Sequence, residues 1–178
     1  MASIDAVAVE GDTVAAQPDS ASTKLESPTG SATHEPLPQR VLGRTGEKVP
    51  ILGLGTAPAG MGMGDSDAIA LFESAIDQGV TYIDTAPGYE RAQKQLSQIL
   101  PRRRDEIFLV TKTNTSDRKE AILKLEEALR ELNTDAVDLV YVHSMGHQDT
   151  DQVLSSEGAL AGLQEAQRRG LTRYIGVT

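Results

Sequence analysis

Four polar side chains of the kind that move protons stand at or just beyond the carboxyl ends of three short apolar runs. The carboxylate, phenol, ammonium and imidazole belong to Asp84, Tyr89, Lys112 and His143. An ammonium beside a phenol favours the ionised phenol, and a carboxylate holds an ammonium in place. An imidazole can donate a hydrogen bond to an oxygen on which charge develops. Together these groups could protonate a carbonyl oxygen while a hydride or water attacks its carbon.

The apolar runs that precede these residues predict buried parallel strands. They are rich in Val, Ile, Tyr and Phe, and each is followed by sequence with helical periodicity. Two similar runs occur earlier and later in the chain. The five predicted strands lie near 51–55, 80–83, 107–111, 137–142 and 174–177. Because the carboxyl ends of parallel strands meet at one edge, the four polar side chains are expected around a single mouth.

The alternation of strands and helices predicts an α/β fold. Residues 39–178 contain a small N-terminal β-hairpin followed by five βα-type units. A closed (β/α)8 barrel takes roughly 250 residues. The chain is therefore predicted to be a partial TIM-type barrel, with about five of the eight βα units. A five-stranded open sheet is the alternative that the spacing leaves open.

The composition restricts the function classes that the chain can serve. Its formal charge is −9 and it contains no cysteine. This balance argues against binding nucleic acid or an anionic membrane surface through bulk charge, and no apolar stretch is long enough to span a membrane. Residues 1–38 are acidic, lack periodicity and fit no targeting signal, so they predict a disordered tail. We expect a cytoplasmic protein.

One pattern could suggest a metal site. His143 and His147 are four residues apart, and Asp149 and Asp151 follow closely. That spacing brings two imidazoles together only on a helix, and the intervening Gly146 favours a loop. We therefore predict no metal at this position.

The order of several short motifs resembles the aldo-keto reductases. The match covers most of residues 40–178, and each motif occurs in the family's order. The segments are 42–46, 52–56, 82–86 with Tyr89, 110–112, 137–143 and 173–178.

The resemblance implies a (β/α)8 barrel that transfers a hydride between a nicotinamide cofactor and a carbonyl or alcohol substrate. The cofactor is usually NADP(H), and NAD(H) is possible. By this resemblance Tyr89 is the general acid, Lys112 is the ammonium beside it, Asp84 pairs with Lys112, and His143 orients the carbonyl. Cofactor contacts fall on three residues at the mouth. These are Gly55, Thr56 and Asp84.

The chain departs from the family pattern at several positions. Glu90 and Gln93 stand where Gly and Glu are usual, and Ser144 follows His143 where an aromatic residue is common. The family segments that hold the cofactor phosphates come after Thr178. The 178 residues alone are therefore expected to reduce no aldehyde at a useful rate. The alternative is a non-catalytic fragment or pseudo-enzyme that acts through a protein partner.

The last expectation concerns association. A five-stranded arc leaves two edge strands unpaired and bares apolar side chains such as Leu54 and Ile175. The chain alone is therefore expected to self-associate or to bind a complementing chain.

Overall fold

The computed structural model describes residues 35–178. Most of the predicted tail, 1–34, lies outside the described residues. The described part begins with an antiparallel hairpin of β1 (Gln39–Val41) and β2 (Lys48–Pro50). Its turn contains Gly43 and Gly46, both with positive φ, which glycine adopts without steric cost. The predicted hairpin is confirmed.

A five-stranded sheet follows, and all of its strand pairs are parallel. The strands are adjacent in chain order, as in a (β/α)8 barrel and unlike a doubly wound sheet, in which the strand order reverses. Each predicted strand is present, with shifts of a few residues at the ends. The bounds are β3 (Gly53–Gly55), β4 (Tyr82–Asp84), β5 (Phe108–Thr113), β6 (Val137–Val142) and β7 (Thr172–Val177).

The connections contain seven α-helices among the described residues. Three of them have 10 to 15 residues, and the other four have 4 to 6. The segment from Ala92 to Arg103 forms two short helices rather than one. The bounds are α1 (Ala57–Gly62), α2 (Asp65–Asp77), α3 (Ala92–Leu96), α4 (Leu100–Arg103), α5 (Arg118–Leu132), α6 (Thr150–Leu154) and α7 (Ala159–Arg168).

Pro101 is the second residue of α4. It occupies the first turn of α4, where a missing N–H is tolerated. The arginines that follow it carry several ion pairs. Arg103 is bound by Glu73, Asp77 and Glu106. This cluster fixes the corner between α4 and β5.

The two faces of the sheet carry different cores. On the inner face, Tyr82 stacks on Phe108 with ring centroids 5.4 Å apart, and Phe108 stacks on Tyr174 at 6.3 Å. Val49 of the hairpin belongs to the same cluster, so the hairpin covers this face. The outer face packs aliphatic side chains against the helices. Examples are Ile83, Leu109, Val140, Leu125, Leu129 and Leu163.

The sheet described here has two edge strands, β3 and β7. Leu54 and Ile175 were expected to be bared on the inner face, but both are partly buried against the outer core, because strand alternation turns them toward the helices. Val177 of β7 remains 51% exposed, and Ile51 just before β3 is 61% exposed.

A polypeptide limited to these 178 residues is expected to self-associate. Unpaired backbone groups beside exposed apolar side chains such as Val177 favour edge-to-edge association. Sedimentation velocity over a range of protein concentrations tests this, with weight-average mass rising as concentration rises. A single monomeric boundary at all concentrations would contradict it.

No helix in the part of the chain that the structure describes is long and apolar enough to cross a membrane.

Candidate active site

Lys112 and Asp84 form the centre of the mouth at the carboxyl end of the sheet. Both lie at the ends of neighbouring strands, β5 and β4. The Lys112 Nζ donates to Asp84 Oδ1 at 2.5 Å and to the carbonyl oxygen of Thr85 at 2.9 Å. Lys112 is only 5% exposed, so hydrogen bonds to these two partners replace those that bulk water would make to its ammonium.

Tyr89 lies beside this pair, in the loop between β4 and α3. The Lys112 Nζ stands 4.8 Å from the centroid of the Tyr89 ring, so the ammonium faces the ring itself. The backbone here is held closely. Tyr89 N donates to the Ala86 carbonyl at 3.0 Å, and a Cβ on Gly60 of α1 would come within 2.0 Å of the Tyr89 carbonyl oxygen. The packing of α1 therefore supports the position of Tyr89.

His143 follows β6 and completes the group. Its Nδ1 lies 3.1 Å from the Thr178 Oγ1, which also accepts a hydrogen bond from Ser144 N at 3.0 Å. Burial lowers the pKa of His143, the Lys112 ammonium lowers it further, and Asp84 partly opposes both effects. The imidazole is thus biased toward its neutral form, and its Nδ1 edge is engaged by Thr178.

Two of the predicted cofactor positions lie on and just after β3, and the third, Asp84, ends β4. Gly55 has no atom within 4 Å of where a Cβ would stand, so space is open above it. Thr56 is fully buried, and its N and Oγ1 both donate to the Asp84 carbonyl oxygen, at 2.9 and 3.0 Å. Thr56 therefore holds Asp84 and offers no exposed surface. Among the described residues, Asp84 Oδ1 has a partner in Lys112, and Oδ2 is not committed to a side chain.

Sequence reasoning missed two contributors. The Thr85 carbonyl is a backbone group, and no residue type signals it. Thr178 was quoted only as the end of a motif, although it directly follows β7. The rule that found Asp84 and His143, a polar residue just past a parallel strand, also finds Thr178.

Lys112→Met is expected to raise the pKa of His143. The substitution removes a nearby positive charge and leaves the Asp84 carboxylate without its partner, and both changes favour the protonated imidazole. Titration of the His143 ring by NMR checks this. An unchanged or lower pKa in the variant would contradict the proposed proximity of the two groups.

The same shift has a consequence for stability. The pKa of His143 is lower in the folded protein than its ordinary value, so the unfolded chain binds this proton more readily. The contribution of neutral His143 to stability is therefore present above about pH 6.5 and is lost as the pH falls below it.

The sequence of the chain is similar to that of known proteins. The model of the aldo/keto reductase family matches residues 51–178. The chain is 31% identical over 153 residues to the L-galactose dehydrogenase of Arabidopsis thaliana, covering 78% of this chain and 47% of that protein. It spans about half the length of the curated relatives that it matches.

Solved structures agree with the sequence matches. A protein from Pseudomonas aeruginosa described as an aldo-keto reductase superposes with a TM-score of 0.71 at 33% identity, covering 79% of this chain and 58% of that one. The Bombyx mori aldo-keto reductase in complex with NADP superposes with a TM-score of 0.65 at 27% identity, covering 80% and 50%. The five-stranded parallel sheet of this chain corresponds to part of the (β/α)8 barrel of these neighbours. With the family model covering most of its length, the chain belongs to the aldo/keto reductase family.

Proposed function

We propose that this protein is an oxidoreductase that transfers a hydride between NADP(H) and a small carbonyl or alcohol substrate. The observation that carries the proposal is the buried Lys112 ammonium, bonded to Asp84 and facing the ring of Tyr89. Such an arrangement supports proton transfer at a phenol, and a carbonyl needs one proton for each hydride that it receives. His143, Gly55 and Thr56 have supporting roles around these three residues.

Tyr89 donates its phenolic proton to the carbonyl oxygen during reduction. Lys112 stabilises the phenolate that remains, because its positive charge stands beside the ring and is itself almost fully buried. Asp84 and the Thr85 carbonyl hold the ammonium in place. The negative charge of the Tyr89 phenolate therefore develops beside an ammonium that is already in place, so the side chains need little rearrangement during the reaction.

His143 orients the substrate carbonyl. The Thr178 hydroxyl, which accepts from Ser144 N, can donate to Nδ1, and the proton of the neutral imidazole is then on Nε2. From there it can donate a hydrogen bond to the same oxygen that Tyr89 protonates. Two donors then fix the direction of the C=O bond, which sets the face of the carbon that is open to attack.

The residues at the mouth fit a nicotinamide cofactor, which supplies the hydride when it is bound. Gly55 leaves open space after β3, and Asp84 Oδ2 is an acceptor suited to a ribose hydroxyl. Thr56 supports Asp84 from beneath. NADP(H) is favoured because neighbours of 27% identity were solved with NADP or NADPH, from Bombyx mori and Klebsiella pneumoniae. NAD(H) is the alternative.

The substrate is proposed to be a small aldehyde, ketone or sugar. Relatives of 31% identity include the methylglyoxal reductase DkgB of Salmonella typhi and the Arabidopsis L-galactose dehydrogenase. Both names describe small oxygenated substrates, and a mouth whose donors converge on one oxygen suits that class.

The test uses the closed-barrel protein, meaning this chain joined to strands that close its sheet. These come either from a longer product of the same gene or from the carboxyl-terminal half of a relative. Purified protein is mixed with NADPH or NADH and with methylglyoxal or galactose, and the absorbance of the nicotinamide is followed. We expect turnover with at least one carbonyl, faster with NADPH. A folded closed-barrel protein that turns over none of a broad aldehyde panel would contradict the proposal.

A further inference from the structure

A cavity of about 300 Å³ lies against the outer face of the sheet, next to the mouth. Lys112 and His143 border it at one end. Its other walls are the loop 86–88, Gln93 of α3, Asn114 and one face of α5. Thr113, on the helix-facing side of β5, also lines the cavity and points away from the side of the strand that Lys112 occupies. Two hydrogen bonds connect this side of β5 to α5 through Gln93. Thr111 Oγ1 donates to Gln93 Oε1 at 2.8 Å, and Gln93 Nε2 donates to Glu131 Oε2 at 2.7 Å.

The Thr113 hydroxyl is buried without a partner. Thr113 is 0% exposed, lines the cavity, and its Oγ1 has no hydrogen bond within the described residues. By contrast, the hydroxyl of Thr111, also on the outer face, has a hydrogen-bond partner in Gln93, as buried hydroxyls usually do. A buried hydroxyl without a partner is costly. The Thr113 hydroxyl is therefore available to a molecule that enters the cavity.

The rim of the cavity is acidic. Glu127 and Glu131 are four residues apart on α5, which places them on one helix face. Neither carboxylate pairs with a cation anywhere in residues 35–178. Lys124 also lines the cavity, but its Nζ is engaged by Glu120 at 3.0 Å and by the Asn114 carbonyl at 2.7 Å. The uncompensated charge at this rim is negative.

We propose that this cavity binds a short aliphatic amine, such as a diamine or an amino alcohol. The carboxylates of Glu127 and Glu131 receive its ammonium group, because charge-assisted hydrogen bonds to carboxylates are the strongest that these walls can form. Ala86, Pro87 and Ala128 provide apolar surface for the hydrocarbon part. The Thr113 hydroxyl binds the polar group at the inner end. The proposal does not depend on the proposed reductase activity.

Heat unfolding of the closed-barrel protein with and without putrescine tests the proposal. We expect putrescine to raise the melting temperature saturably at constant ionic strength, whereas succinate, an anion of similar size, does not. The double variant Glu127→Gln, Glu131→Gln should bind putrescine roughly tenfold or more weakly. The matched control Asp105→Asn removes an exposed carboxylate elsewhere and should keep the full effect.

Thr113→Val gives a second readout that a surface charge effect cannot imitate. Removing an unpaired buried hydroxyl should raise the melting temperature of the ligand-free protein, while the putrescine-induced shift becomes smaller. An absent shift, or an equal shift in the double variant and in Asp105→Asn, would overturn the proposal. A Thr113→Val protein that binds putrescine as well as the parent would also overturn it.

Discussion

Tyr89→Phe is expected to lower the rate of carbonyl reduction by the closed-barrel protein about 10²–10⁴-fold, the range typical of a lost general acid. The substitution removes the phenolic proton and keeps the ring that faces the Lys112 ammonium, so the loop should hold its shape. The cofactor site is untouched. Steady-state kinetics should therefore show a large fall in kcat with little change in the affinity for NADPH, measured separately by fluorescence titration.

A matched control separates the loss of a proton from general damage near the mouth. Tyr174→Phe also removes a phenol, but that hydroxyl contacts Glu47 and Thr45 of the hairpin and lies away from Lys112. Its kcat should stay within a few-fold of the parent value. Equal rates for Tyr89→Phe and the parent protein would remove Tyr89 from the mechanism.

Asp138→Ala is expected to destabilise the fold by about 1–3 kcal/mol, the usual cost of leaving a buried hydrogen-bond donor without its acceptor. Asp138 is 5% exposed on β6. Its Oδ2 accepts from Leu109 N at 2.8 Å and from Arg104 at 2.9 Å, and its Oδ1 accepts from Arg173 at 2.9 Å. The substitution leaves a buried N–H and two guanidinium groups without this acceptor, at the end of the sheet opposite the mouth.

Urea unfolding of the closed-barrel protein, monitored by circular dichroism, measures the change. Asp105→Asn serves again as the control, because it is exposed and should alter the free energy of unfolding by about 0.5 kcal/mol or less. A loss below about 1 kcal/mol for Asp138→Ala would show that the network contributes little beyond its desolvation cost.

The parts of the site that follow from strand periodicity could be predicted from the sequence. Asp84, Lys112 and His143 each come at or just after the end of a parallel strand, and parallel strands end at one edge. The same reasoning predicted the order of the five strands. Residue numbers were less certain at strand ends, because pairing with neighbours extends β5 and β7 beyond their apolar runs.

The parts that depend on tertiary contacts could not be predicted. Helix α1 has six residues, too few to be stable alone, and it forms where Gly60 packs against the Tyr89 loop. Asp138 stands within an apolar run, and nothing local shows that two distant arginines neutralise it. The ammonium of Lys112 faces the Tyr89 ring because of a loop path that sequence spacing does not specify.

The most direct test of the central claim is isotope transfer. NADPH carrying deuterium at the reactive nicotinamide carbon is incubated with the closed-barrel protein and an aldehyde, and the alcohol product is analysed by mass spectrometry. Our account predicts deuterium on the former carbonyl carbon, with product formation reduced at least about a hundredfold in Tyr89→Phe. Alcohol formed without deuterium, or at equal rates in both proteins, would contradict hydride transfer assisted by Tyr89.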